Sequence, residues 1–376
     1  MMNFIIIISI ILLSYANGAN DVSKGIATLV GSGITNYKKA LLWGTVWTIL
    51  GGIVAAFFAT SLVKTFSAGG LLKSTSNLNQ WFQIAVCTGA FVWVSLATKT
   101  GIPVSTTHSI IGAISGAGIA AVGFSGVVWS VLGQKIFLPL AFSPLFALVV
   151  AWVFSPTLKT LFSRAEKYCV CVETRKSVIL KPVIEKSTSF VSSSQISYDE
   201  PNLLLAEKSK CQETITSTLR FEVMDLFHWL SAGLASFARG LNDGPKIVAL
   251  ALGVSAIGIN DSLTSSFFLV SIAMGIGSLI SGLKVTETLS EKVTPMTPQE
   301  GLAANLTTSV LVSLASRFGF PVSTTHVSSG AIIGIGIKHG KHTVRWKVVY
   351  EMILAWLVTF PISAIIAYIV YSILGN

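Results

Sequence analysis

The sequence predicts an all-α polytopic membrane protein built from two copies of one membrane repeat. Composition gives the first reason: of 376 residues 52% are hydrophobic and only 11% charged, with a mean hydropathy of +0.73. Soluble domains carry roughly a quarter charged residues. The second reason is a duplication. GIPVSTTHSIIGA at 101–113 returns as GFPVSTTHVSSGA at 319–331, and upstream SLATKTG (95–101) aligns with SLASRFG (313–319) at the same offset of 218 residues. A further pair, GANDVSK (18–24) and GLNDGPK (240–246), repeats at an offset of 222. Each half thus holds an Asn-Asp motif followed by a PVSTTH motif, and a ligand is expected between the halves.

In chain order, the apolar run Phe4–Leu13 leads straight into Tyr15–Asp21. It lacks any Lys or Arg before its apolar core, so a membrane helix is expected rather than a signal peptide. That helix continues or breaks at Asn17-Gly18, with Asp21 at membrane depth. Further segments are expected at Ala40–Leu62, Trp81–Ala97, Thr106–Val122 and Val127–Phe154, the last with a break near Pro139 and Pro144. Gly112 and Gly116 are spaced for close helix packing. With the Gly101-Ile102-Pro103 break before them they predict a re-entrant hairpin, because irregular backbone at membrane depth survives only when protein covers it or it lines a cavity. After the middle of the chain the pattern restarts at Val223–Phe237, followed by Ile247–Ile257, Phe267–Ile280, Ala303–Ala315, Thr325–Ile337 and Val348–Leu374. About ten to twelve membrane-embedded segments are expected by this reading. The polar stretch Gly282–Thr288 has no first-half counterpart.

Between the repeats the character changes. Residues 159–220 hold ten Lys or Arg and seven Asp or Glu, with a serine-rich patch at Ser187–Ser197. The chain therefore divides into a first membrane repeat (1–158), a polar cytoplasmic linker (159–220) and a second membrane repeat (221–376). Lys159, Arg164 and Lys167 beside a span end place the linker on the cytoplasmic side, although Lys338, Lys341, Arg345 and Lys347 compete in another loop. The net charge of +10 sits largely in such loops and implies no nucleic-acid partner. The four cysteines show no CxxC spacing, and no P-loop, Gly-x-Ser-x-Gly or His-Glu-x-x-His motif is present. No catalytic residues are expected.

PVSTTH puts hydroxyls at a helix start. Proline has no N–H to donate, and the Ser and Thr that follow are preferred caps. Free amides, the positive dipole end and three hydroxyls together make an anion site. Asp21 and Asp243, each preceded by Asn, are costly at membrane depth and offer oxygens that hard cations prefer. Lys24 and Lys246 either pair with the Asp three residues back or face an anion. Two carboxylates near an anion would repel it, so a bound cation or proton is expected between them. His108 and His326 read as packing or capping residues rather than metal ligands.

GANDVSK and GLNDGPK, the two PVSTTH motifs, and GLKVTETL before MTPQEGL together resemble the inorganic phosphate transporter (PiT) family. The resemblance covers nearly the whole chain outside the linker. It implies two inverted repeats whose re-entrant hairpins meet at mid-membrane, and import of inorganic phosphate by alternating access. It further implies symport with a cation, sodium or alternatively a proton, without another cofactor. A sulfate permease of the same fold is the other alternative; phosphate can donate a hydrogen bond to Asp and sulfate near neutral pH cannot, which favours phosphate. By the resemblance, phosphate is held by Asp21, Ser105, Thr106, Thr107, Asp243, Ser323, Thr324 and Thr325. The cation is held by Asn20, Asp21, Asn242, Asp243, Gln83 and Asn305. Where animal members carry membrane glutamates, this chain has Thr48, Gln83 and Asn305. The implied partners are phosphate, the coupled ion and the bilayer of the plasma membrane or another cell membrane, crossed several times, with a second copy of the chain as candidate protein partner.

Overall fold

A computed structural model describes residues 2–75, 78–173, 176–183, 191–198, 202–208, 217–252 and 263–375. The chain forms two compact units, Met1–Leu158 with His228–Asn376, and Lys159–Phe227. The first is helical and is the membrane unit. Among the described residues six helical runs are long and apolar enough to cross a membrane: Met2–Gly31, Tyr37–Phe58, Gln80–Thr100, Trp129–Phe162, Leu263–Ser281 and Trp346–Leu374. Their outward faces keep large apolar side chains exposed, such as Phe57, Ile280 and Leu357. In lipid that exposure costs nothing, because the acyl chains are as apolar as the side chains they touch, and the helices satisfy their own backbone polar groups.

Helix α1 (Met2–Asp21) runs through Asn17-Gly18 unbroken, and a single turn residue, Val22, separates it from α2 (Ser23–Gly31). Helix α3 (Tyr37–Phe58) starts on Asn36, whose side chain accepts the Lys39 N–H at 3.0 Å. Helix α4 (Gln80–Thr100) ends on Gly101 with φ of 76°, a left-handed cap that only glycine adopts without strain. Pro103 then carries the chain to α5 (Thr106–Val122). Helix α6 (Leu138–Phe162) shows where the expected break near Pro139 and Pro144 goes. The chain makes a π-helical turn over Leu132–Phe137 and then continues as α-helix, with Pro144 and Pro156 inside it. The wide turn absorbs the misfit ahead of the prolines, so the helix is not broken at them.

The second half repeats this plan. Helix α7 (Val223–Leu252) contains the second Asn-Asp motif and Pro245. The expected end of that segment, at Ile257, lies outside the described residues. Helix α8 (Leu263–Ser281) and the short α9 (Leu283–Glu291) follow. Helix α10 (Pro298–Phe318) opens with a capping box between Thr297 and Glu300 and ends on Gly319, φ 73°, as α4 does on Gly101. Helices α11 (Thr324–Lys338) and α12 (Trp346–Leu374) complete the unit. The polar segment carries strands: β4 (Asn202–Glu207), β1 (Tyr168–Glu173) and β5 (Ser217–Glu222) form an antiparallel sheet, and β2 (Lys176–Val183) pairs with β3 (Val191–Tyr198).

The two hairpin helices are clamped by glycine contacts that exchange between halves. A Cβ at Gly112 or Gly116 of α5 would lie 2.3 Å from the Phe360 carbonyl oxygen or 1.9 Å from that of Ala364, both in α12. At the equivalent positions of α11, a Cβ at Gly330 or Gly334 would lie 2.2 or 2.4 Å from the carbonyl oxygens of Pro144 and Leu148 in α6. Each hairpin of one half therefore packs on the long helix of the other. Reciprocal contacts of this kind are the signature of a two-fold relation between repeats.

Gly116→Val drives two methyl groups into the Ala364 backbone, and overpacking of this kind costs about 1–3 kcal/mol or more. A marked fall in melting temperature in detergent is expected, whereas Gly69→Ala, with open space around its Cβ, melts like the parent.

Candidate functional site

Four chain segments converge in the middle of the membrane unit: the end of α1 with the start of α2, the equivalent part of α7, and the starts of α5 and α11. Ser105 and Ser323 are the N-caps of the two hairpin helices, their hydroxyl oxygens accepting the N–H of His108 and His326 at 3.2 and 3.3 Å. The capping leaves each serine O–H free to donate. Thr106 donates to Asp21 Oδ2 at 2.9 Å, and Thr324 points to Asp243 Oδ2 at 3.5 Å. Thr107 donates to the carbonyl of Val322 at 3.3 Å and Thr325 to that of Val104 at 2.8 Å. These last two bonds cross between hairpins at equivalent positions, so the hairpins meet tip to tip. All eight residues expected to hold phosphate thus lie in one cluster.

Asn20 and Asn242 brace the hairpins. Asn20 Nδ2 donates to Thr98 Oγ1 and to the Ile102 carbonyl, each at 3.1 Å, and its Oδ1 accepts the Val104 N–H at 3.2 Å. Asn242 Nδ2 donates to the Val322 carbonyl at 3.3 Å, and its Oδ1 accepts from Ser316 at 3.2 Å. The irregular stretch before each PVSTTH helix start has carbonyl and N–H groups without helical partners, and an amide side chain carries both donor and acceptor to meet them. In this arrangement the Asn20 and Asn242 oxygens are occupied by protein donors.

The charges form a tight group. Lys24 Nζ lies 2.7 Å from Asp21 Oδ1, and Lys246 Nζ lies 3.1 Å from Asp243 Oδ1. Lys24 stays within its own half, bonding Asn20 as well. Lys246 crosses to the other half, donating to Thr107 Oγ1 at 2.8 Å, and within its own half donates to the Val322 carbonyl at 2.9 Å. Arg239, which sequence reasoning passed over, completes the group: Nη2 reaches Asn17 Oδ1 at 3.5 Å and Nε is 4.0 Å from Asp243 Oδ2. Asn17 in turn donates to Asp21 Oδ2 at 2.9 Å, Thr106 Oγ1 at 3.1 Å and Asp243 Oδ2 at 3.4 Å. Arg239 and Asn17 stand at the same place in the two Asn-Asp motifs, four residues before each aspartate. A lone arginine at membrane depth in α7 was the available signal.

Three cationic side chains therefore face two carboxylates, a formal surplus of one positive charge. Each lysine pairs with the aspartate three residues before it, one of the two expected arrangements, and Arg239 adds a charge the sequence reading had not counted. No side chain of this cluster is more than 3% exposed. The arrangement is closed on all sides, and Arg239 Nε and Nη1 are buried without a hydrogen-bond partner. Unsatisfied guanidinium donors at such burial are costly, and an oxyanion supplies the acceptors they lack.

The other expected cation ligands lie apart from this network. Gln83 in α4 donates from Nε2 to the Leu250 carbonyl at 2.8 Å, leaving Oε1 buried with no partner. Asn305 in α10 is buried and its Nδ2 has no acceptor. Thr48 in α3 donates to the Ser236 carbonyl at 3.4 Å. None of the three hydrogen-bonds to Asp21 or Asp243 in this arrangement.

A family model described as the phosphate transporter family matches residues 17–367. The chain is 28% identical, over 98% of its length, to a protein of Mycobacterium bovis named a probable low-affinity inorganic phosphate transporter, and spans 76% of it. It is 27% identical over its full length to a Bacillus subtilis protein of the same name, spanning 97% of that one. Among solved structures, one described as the sodium-dependent phosphate transporter shares the fold with a TM-score of 0.75 at 22% identity, covering 100% of this chain and 99% of the other.

Breaking one buried pair while leaving its partner charged costs about 3–5 kcal/mol. Asp243→Asn, which strips the counter-charge from Lys246 and Arg239, should lower the melting temperature sharply. Adding Lys246→Met to that variant should recover part of the loss, and equal melting of the single and double variants would show the pair to be uncoupled.

Proposed function

The chain belongs to the phosphate transporter family, and from that premise we propose that it imports inorganic phosphate by symport with sodium, through alternating exposure of the cluster between its two hairpins. The protein is a multi-pass cell-membrane transporter and not an enzyme. Phosphate is bound by Ser105, Thr106, Thr107, Ser323, Thr324 and Thr325, with Asp21 and Asp243 accepting its proton and Lys24, Lys246 and Arg239 facing its charge.

The observation that carries this reading is Arg239, buried beside Asn17 and Asp243 with its Nε and Nη1 unmet. A tetrahedral oxyanion offers several strong acceptors at once and satisfies guanidinium in its preferred forked geometry. Binding then requires the cluster to open, because its side chains are sealed in the arrangement described. Two pseudo-equivalent hairpins, each clamped to the opposite half through glycines, are suited to rocking of one repeat against the other around a fixed site.

Charge supports the coupled cation. Hydrogen phosphate brings about two negative charges to a cluster with one surplus positive charge, leaving one negative charge in a sealed, low-dielectric site. One bound sodium ion removes it, and an unpaired buried charge would otherwise cost several kcal/mol. Asp21 and Asp243 supply carboxylate oxygens for such an ion; Asn20 and Asn242 could join them only by giving up their present donors, and the buried Gln83 Oε1, which lacks a partner, and Asn305 stand apart from the cluster as further oxygen ligands. The solved structure that shares this fold is itself described as a sodium-dependent phosphate transporter.

Uptake of labelled phosphate into proteoliposomes, with sodium and pH gradients imposed separately, tests the reading. A sodium gradient should drive uptake and excess sulfate should compete poorly; uptake driven by the pH gradient alone would replace sodium with a proton. Sodium activation should strengthen as pH rises, because dihydrogen phosphate leaves the site neutral and hydrogen phosphate does not. Arg239→Gln should weaken phosphate binding about tenfold or more, the loss of a charge-assisted hydrogen bond, with Arg239→Lys intermediate. Unchanged phosphate affinity in Arg239→Gln would remove Arg239 from the site.

A further inference from the structure

Behind the hairpin tips the last residues of the two PVSTTH motifs meet. The rings of His108 and His326 pack with centroids 4.9 Å apart and planes tilted by 39°, and Trp356 of α12 packs on His326 at 4.2 Å with a tilt of 37°. Trp356 is fixed by its Nε1, which donates to the Pro103 carbonyl at 3.0 Å. The sequence assigned these histidines to packing or capping, and their rings do pack on aromatic neighbours. Packing does not, however, satisfy their nitrogens: His108 Nδ1 and His326 Nε2 are buried with no hydrogen-bond partner.

The missing partner has a definite chemistry at His326. Its Nδ1 lies 2.9 Å from the Leu140 carbonyl, and a carbonyl can only accept. Nδ1 therefore carries the proton, and in the neutral ring Nε2 presents a lone pair. What it lacks is a donor. Both histidines line a cavity of about 500 Å³ between α6, α11 and α12, within the range of small-molecule sites. Apart from the ring nitrogens its walls are apolar, Phe137, Ile353 and Phe360 among them. Leu145 and Leu357, which also line it, are 58% and 70% exposed on the lipid-facing side.

We propose that this cavity binds a neutral lipophile bearing one hydroxyl, such as a long-chain alcohol drawn from the bilayer, with the O–H donating to His326 Nε2 and the apolar body lying between α6 and α12. An ionised headgroup would meet no counter-charge among the lining residues, and a plain hydrocarbon would leave both ring nitrogens unmet. This site is separate from the phosphate cluster, and the inference stands whichever ion or oxyanion is carried.

The test uses the full-length protein in lipid nanodiscs and a diazirine-bearing dodecan-1-ol, with photolabelled residues mapped by mass spectrometry. Labelling is expected on α6 and α12 around Ala141 and Phe360, displaced by dodecan-1-ol at about tenfold lower concentration than by 1-methoxydodecane, which has no donor. His326→Phe keeps an aromatic ring in the same place but removes the acceptor, and should abolish that difference. Ala141→Trp, which fills the cavity and leaves both histidines in place, should cut labelling at Phe360 severalfold. Alcohol and ether competing equally in the parent, labelling spread evenly over all lipid-facing helices, or full labelling of Ala141→Trp would each overturn the proposal.

Discussion

Five ionisable side chains meet in the interior of a membrane protein, and most of the architecture serves to hold them there. Asp21, Lys24, Arg239, Asp243 and Lys246 are all buried, and in lipid each alone would be prohibitive. Pairing at i and i+3 within one helix turn settles Lys24 on Asp21 and Lys246 on Asp243. The remaining donors and acceptors come from the two hairpin starts, where broken helices expose hydroxyls and backbone groups at the same depth. Broken backbone and buried charge are each unfavourable in a bilayer, and here each supplies what the other lacks.

Glycine makes that juxtaposition possible. The hairpin helices are short and must be covered completely, and Gly112, Gly116, Gly330 and Gly334 let α12 and α6 come to backbone contact with them. Because each hairpin leans on the opposite half, and because Thr107 and Thr325 bond across to Val322 and Val104, neither half builds the cluster alone. The site belongs to the junction between repeats.

The duplication is not perfect, and its departures matter for the chemistry. Position 17 is Asn and its counterpart at 239 is Arg. Asn17 knits both aspartates and Thr106 together, while Arg239 adds the charge that tips the cluster to a net positive value. Lys24 remains in its own half, whereas Lys246 reaches Thr107 in the other. A symmetric frame thus encloses an asymmetric charge distribution.

The sequence by itself determined the membrane class, the repeat and the hydroxyls, aspartates and lysines of the cluster. Those are properties of local chemistry: apolar runs, a glycine ahead of a proline, hydroxyls at a helix start, and an aspartate too costly to be idle, each copied twice. It also pointed to the pairing of each lysine with the aspartate three residues before it, since helix geometry alone brings them together. It did not place Arg239, because an arginine seven residues before a lysine in one half has no counterpart to draw attention to it. Nor did it reveal that Asn20 and Asn242 spend their amides on the hairpin backbone, that α6 passes Pro144 without breaking, or that two histidines pack against each other with nitrogens unmet. Each of these depends on which atoms of the opposite repeat arrive within three or four ångströms, and only the folded chain, closing one half upon the other, decides that.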